Sequence, residues 1–179
     1  GPGGDQTIEG VSTSNIVAYD LFLKALSIQA KSSHGALKDA EALLKEALAI
    51  DADFLDAKTQ LAVNYYRQFE TGLRPRDAAL DEIAALLGQV LASRPDDVRA
   101  NSWYLLARIS RAYYAGEPTD LAAFVEQIRA YTKEAPSEID PKIILARVQS
   151  GRNHEEALQL LQGAQQAGGH AGGDQHIVQ

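Results

Sequence analysis

The chain has 179 residues, 45% of them apolar and 23% charged, enough to bury one core and too apolar for a disordered polymer. Its net charge of −7, from 17 basic and 24 acidic side chains, argues against nucleic acid or an anionic membrane surface as main partner, since both need a broad basic face. The absence of cysteine excludes a disulfide framework and a thiolate metal site, and leaves periplasm and cytosol equally open.

No apolar run approaches the ~20 residues of a membrane-spanning helix, so direct membrane insertion is not expected. The opening Gly1-Pro2-Gly3-Gly4 reads as the scar of a protease site, and no initiating Met precedes it. The expectation is therefore a domain excised from a longer protein. Residues 1–13 read as that scar with an extended lead-in, residues 14–167 as a helical domain, and residues 168–179 as a Gly-rich flexible tail.

A first helix begins at Asn15, with Val17, Leu21, Leu23, Leu26 and Ile28 marking its apolar side, and stops in the Ser32-Ser33-His34-Gly35 break. The second is the clearest. Leu37, Ala40, Leu44, Ala47 and Leu48 fall at three- and four-residue steps, with Lys38, Asp39, Glu41, Lys45 and Glu46 between them. Asp51 or Asp53 is placed to cap a third helix, Leu55 to Phe69. A fourth, about Asp77 to Ser93, turns Leu80, Ile83, Leu87, Val90 and Leu91 inward. Pro95 then ends it, and Asp96-Asp97 offers the next cap.

The fifth helix, Val98 to Tyr114, carries Trp103, Leu106, Ala107 and Ser110 on one side. Thr119 is the expected cap of the sixth, which Ala135-Pro136-Ser137 ends. Asp140-Pro141 opens the seventh with a cap and a first-turn proline. Asn153 with Glu156 opens an eighth over residues 153–167, expected to be the polar-faced end of the array. Eight helices with short links pack as four antiparallel pairs. No single pair buries its own apolar stripe, so stacking into an all-α, right-handed solenoid is predicted.

Residue spacing adds a family resemblance. Trp103-Tyr104-Leu105-Leu106-Ala107 matches a Trp-x2-Leu-small start, and Leu61-Ala62 with Tyr65 matches its Leu-small-x2-Tyr part. Ala40-x3-Leu44-x2-Ala47 and Ala157-x3-Leu161-x2-Ala164 match the second-helix part, and Pro95 stands at a repeat end. Over residues 15–167 the chain resembles tetratricopeptide-repeat proteins. It departs from them in the 45-residue spacing from Ala62 to Ala107, and in Ile83 and Phe124, which stand where Ala is usual. The stretch Ser14-Asn15-Ile16-Val17-Ala18-Tyr19-Asp20-Leu21-Phe22-Leu23-Lys24 is similar to the opening helix of repeats that follow a TolB-like domain. Those repeats occur in bacterial membrane-anchored regulators, including transcription factors and class III adenylate cyclases. That resemblance implies a regulatory domain on the periplasmic side of an inner membrane, with the cytoplasm as the alternative. It leaves open a non-catalytic fragment of a cyclase or of a membrane-anchored transcriptional regulator.

Chemistry is sparse. No Gly-rich phosphate loop, His-Glu-x-x-His or Gly-x-Ser-x-Gly occurs, so this domain is read as non-catalytic and without a cofactor. His34 and His154 read as solvated turn residues. His170, Asp174 and His176 would share a metal only if the tail curled. Asp51 with Asp53, and Asp96 with Asp97, read as caps rather than as catalytic pairs.

The predicted activity is binding. In tetratricopeptide-repeat proteins the first helix of each pair lines a concave groove, which implies partner-binding positions at Asn101, Tyr104, Arg108 and Arg111, with Tyr66 and Arg67 on the third helix. Arginines beside aromatic rings in an acidic domain point to a protein or peptide bearing acidic groups. A solvated charged face is the other reading of the same stripe. The pairs Tyr65-Tyr66 and Tyr113-Tyr114 are each expected to place at most one ring centrally in the core. The Gly-rich tail is a candidate occupant of a groove, its own or that of a second copy.

Overall fold

A computed structural model describes residues 11–150. Seven helices and no strand occur among them: α1 (Ile16–Gln29), α2 (His34–Ile50), α3 (Leu55–Glu70), α4 (Arg76–Ser93), α5 (Val98–Tyr114), α6 (Leu121–Glu134) and α7 (Asp140–Ser150). The all-α class expected from the residue pattern is therefore observed. The eighth helix at 153–167, the tail at 168–179 and the first ten residues lie outside the described residues, as do His154, His170, Asp174 and His176. The chain divides into two units, the first ending at Pro95 and the second beginning at Asp96.

In the first unit α1 packs on α2, α2 on α3 and α3 on α4, with a smaller contact between α1 and α3. Links as short as residues 30–33 and 71–75, between helices that touch along their length, require antiparallel neighbours. Alanine makes the approach close: Ala18, Ala25, Ala40, Ala47, Ala57 and Ala62 are all fully buried. Leu37, Leu44, Leu80, Ile83, Leu87 and Val90 fill the space between them. Each such aliphatic side chain contributes roughly 1.5–3 kcal/mol through burial.

Several local expectations change. The buried face of α1 is Ala18, Leu21, Phe22, Ala25 and Gln29, whereas Val17 is 60% and Leu23 44% exposed. Apolar residues surround α1, and the small Ala18 and Ala25 decide which side approaches its neighbours. His34 is the first residue of α2 rather than part of a turn, because Ser33 caps that helix, accepting from the Ala36 amide at 3.1 Å. The cap position of α3 is Phe54, not Asp51 or Asp53. Phe54 is fully buried, its ring centroid 5.0 Å from that of Phe22, so packing sets the start of α3. Asp51 instead accepts from the Thr13 hydroxyl at 2.5 Å and from the Asp53 amide at 3.1 Å. After α3, Gly72 takes φ +79°, a conformation costly for other residues, and the Leu73 amide closes the turn onto the Gln68 carbonyl at 2.8 Å.

In the second unit α5, α6 and α7 each touch the other two. Asp97 caps α5 through the Ala100 amide at 2.9 Å, as its position predicts. Asp120 rather than Thr119 caps α6, through the Ala123 amide at 2.9 Å. Trp103, Leu106, Ala107, Leu121, Phe124, Ile128 and Ile144 form the core of this unit.

Candidate functional site

The rotation of α5 about its axis decides which side chains are available. Its buried face is the one read from spacing: Trp103, Leu106, Ala107 and Ser110. The lock on that rotation comes from α7. Asp140 Oδ2 receives the Trp103 indole N–H at 2.7 Å and Arg99 Nε at 2.5 Å. The Arg147 guanidinium lies 5.9 Å from the centre of the Trp103 ring. Asp140, expected to act as a helix cap, is thus a buried acceptor that holds two helices in register.

With that face turned in, the stripe Asn101, Tyr104, Arg108 and Arg111 lies beside it on α5. Arg108 is exposed and the other three are half-buried. The Arg108 guanidinium stands 5.7 Å from the centre of the Tyr104 ring, within cation–π range. Asn101 Nδ2 donates to the Asp97 carbonyl at 2.9 Å, which orients its amide. The helix carries three arginines and no acidic residue, in a chain of net charge −7. Tyr113 and Tyr114, both half-buried, lie edge to face with ring centroids 5.1 Å apart.

The first unit places its two candidates differently. Tyr66 is 1% exposed, edge-on to Phe69 at 5.5 Å, and is a core ring rather than part of an open surface. Tyr65 is also buried, so the expectation of one central ring per pair fails on α3. The reason is enclosure, because α3 contacts α1, α2 and α4 and ten of its 16 residues are buried. Arg67 is half-buried on the same helix.

A second polar constellation in this unit was not foreseen. Glu41, read as one of the polar residues of α2, is 6% exposed. Its carboxylate receives Lys45 Nζ at 2.6 Å, Gln68 Nε2 at 2.7 Å, Arg74 Nη2 at 3.1 Å and Lys38 Nζ at 3.2 Å. Arg74 also reaches Glu82 at 3.3 Å and stacks 3.7 Å from the Tyr65 ring centre. Gln68 Nε2 continues to Asn64 Oδ1 at 2.6 Å, and Asn64 Nδ2 donates to Gln29 Oε1 at 3.3 Å and the Leu37 carbonyl at 2.8 Å. The only sequence signal was the three- and four-residue spacing of Lys38, Glu41 and Lys45. Every member of the cluster already has a protein partner, so its evident work is to join α1, α2 and α3 and the α3–α4 loop.

Among the described residues no group of three His, Asp or Glu side chains is placed to hold a metal ion. No helix among them is long and apolar enough to cross a membrane. Compared with known family models, curated proteins and solved structures, the chain matches none.

Proposed function

We propose that this chain is a helical-hairpin repeat module of tetratricopeptide type, which binds an acidic protein segment across the outward face of α5. One observation carries the reading: Arg108 is exposed with its guanidinium 5.7 Å from the centre of the Tyr104 ring, on a helix that bears no carboxylate and whose Arg99 is paired with Asp140. A guanidinium held over a ring has already given up part of its rotamer freedom. It presents a planar fork that matches a carboxylate in two parallel hydrogen bonds. Tyrosine and arginine are also the residue types that dominate binding energy at protein interfaces. The pairing of aromatic, cationic and amide groups along one face suits a segment that alternates acidic and apolar side chains. Membership of a cyclase or a membrane-anchored regulator, as the opening-helix motif implies, is compatible with this role and adds no residue to the site.

The test is a fluorescence-anisotropy titration with short labelled peptides that alternate Glu or Asp with Leu, against a matched Gln/Asn series. The acidic series should bind and weaken as salt rises, because exposed charges are screened. Arg108→Ala/Arg111→Ala should weaken binding about tenfold or more, the loss expected for one or two charge-assisted hydrogen bonds. Equal binding of both series, or unchanged affinity and salt dependence in the variant, leaves these arginines as solvated surface and overturns the proposal.

A further inference from the structure

One carboxylate ties the first of the described residues to the end of α4. Asp56, in the first turn of α3, divides its two oxygens between distant parts of the sequence. Oδ2 receives both the Ser12 amide at 2.8 Å and the Ser12 hydroxyl at 2.7 Å. Oδ1 receives Arg94 Nη1 at 3.2 Å, at the end of α4. The Asp56 amide in return donates to Ser12 Oγ at 2.9 Å. This is the reciprocal pattern of a capping box, built here between residues 44 apart. It matters because the residue at the cap position of α3, Phe54, has no side-chain acceptor to offer. One residue further on, Thr13 is 2% exposed, hydrogen-bonds Asp51 through its hydroxyl, and accepts from the Asn15 amide at 3.1 Å.

The geometry points to a detachable clasp: the strap Val11–Asn15 caps α3 from outside that helix, and its release is felt at Arg94 through the shared side chain of Asp56. The strap is held by part-buried side-chain hydrogen bonds and one buried side chain, Thr13, a small set of contacts that can open locally while the core stays closed. When it lifts, the first turn of α3 loses its only side-chain cap among the described residues. The Asp56 carboxylate also loses the two donors that fix its rotamer, so its bond to Arg94 loosens with it. A partner that captures the strap, or a pull on it, therefore acts on both the start of α3 and the end of α4. Groups that share one side chain do not contribute additively, and this makes the device measurable.

The experiment is amide hydrogen exchange on the full chain, comparing wild type with Ser12→Ala, Arg94→Ala and the double variant. Ala62, in the middle of α3, is the internal standard for global opening. Ser12→Ala should speed exchange at the Asp56 amide about tenfold, the effect of losing one hydrogen bond of ordinary strength. Arg94→Ala, which touches no atom of that amide, should speed it roughly threefold, and the double variant should fall clearly short of the product of the two. Ser12→Thr keeps the hydroxyl and should stay near wild type. If Arg94→Ala leaves Asp56 unchanged, or the effects multiply, or Ala62 accelerates as much as Asp56, the clasp is refuted.

Discussion

Glu41 sits 6% exposed among three cations, and this position makes it the residue whose titration matters most. Burial pushes its carboxyl pKa up. The hydrogen bonds from Lys45, Gln68 and Lys38 and the charge of Arg74 together outweigh that and hold it at about 2, below an ordinary value of 4.5. A folded pKa below the unfolded one means the unfolded chain binds more protons. The stabilisation is thus complete above pH 4.5 and is lost as pH falls from 4.5 towards 2. Its size is on the order of 1–3 kcal/mol, because Lys38 and Lys45 are more than half exposed and solvent screens their share. Urea unfolding at stepped pH should show wild-type stability falling through that window. Glu41→Gln should be less stable by a similar amount at pH 7 and flatter between pH 4.5 and 2. A wild-type acid limb that Glu41→Gln reproduces unchanged would assign the loss to other carboxylates. The spacing of Lys38, Glu41 and Lys45 was legible in the sequence. The contributions of Gln68 and Arg74 were not, because they come from residues 27 and 33 positions away.

At the scale of the element, α3 and α5 show opposite situations. Neighbours enclose α3, so its polar residues Asn64 and Gln68 are fully buried, and their side-chain amide groups donate within α3, to α1 and to α2. Its small residue Ala62 is fully buried in a helix packed against three others. Ala62→Leu should therefore cost about 1–3 kcal/mol through overpacking, measured by chemical denaturation. A neutral result would show that the alanines do not set the spacing. By contrast, α5 leaves Arg108 exposed, and its orientation depends on Asp140. Asp140→Asn should lower stability by about 2–3 kcal/mol, since Arg99 loses its ion pair in a mostly buried setting. Trp103 is the single tryptophan, so its emission reports the change directly and should shift to the red as the indole loosens. Stability and emission both unmoved by the substitution would remove Asp140 from that role.

At the scale of the whole molecule the first unit contains its own core, its own polar network and both ends of the Asp56 clasp. Residues 1–95 expressed alone should therefore fold. Far-UV circular dichroism should show a helical spectrum, and urea should unfold the fragment in one sigmoidal transition. A gradual, non-cooperative loss of signal would mean that the first unit depends on the rest of the chain.

The sequence by itself determined what periodicity and local chemistry control. The all-α class, the span of α5 at Val98–Tyr114, the inward set Trp103, Leu106, Ala107 and Ser110, and the Asp97 cap all follow from one turn of helix acting on the next. The stripe Asn101, Tyr104, Arg108 and Arg111 was legible as a neighbour of that inward set on the helical wheel. Only the tertiary structure decided which helices are enclosed. A wheel drawn for α3 leaves Tyr66 an outward option, and three packed neighbours remove it. Only the tertiary structure placed Ser12 on Asp56, Gln68 on Glu41 and Trp103 on Asp140, pairs 44, 27 and 37 residues apart. Periodicity extends over a few turns of one helix, whereas these pairings depend on where whole helices come to rest, which no local pattern encodes.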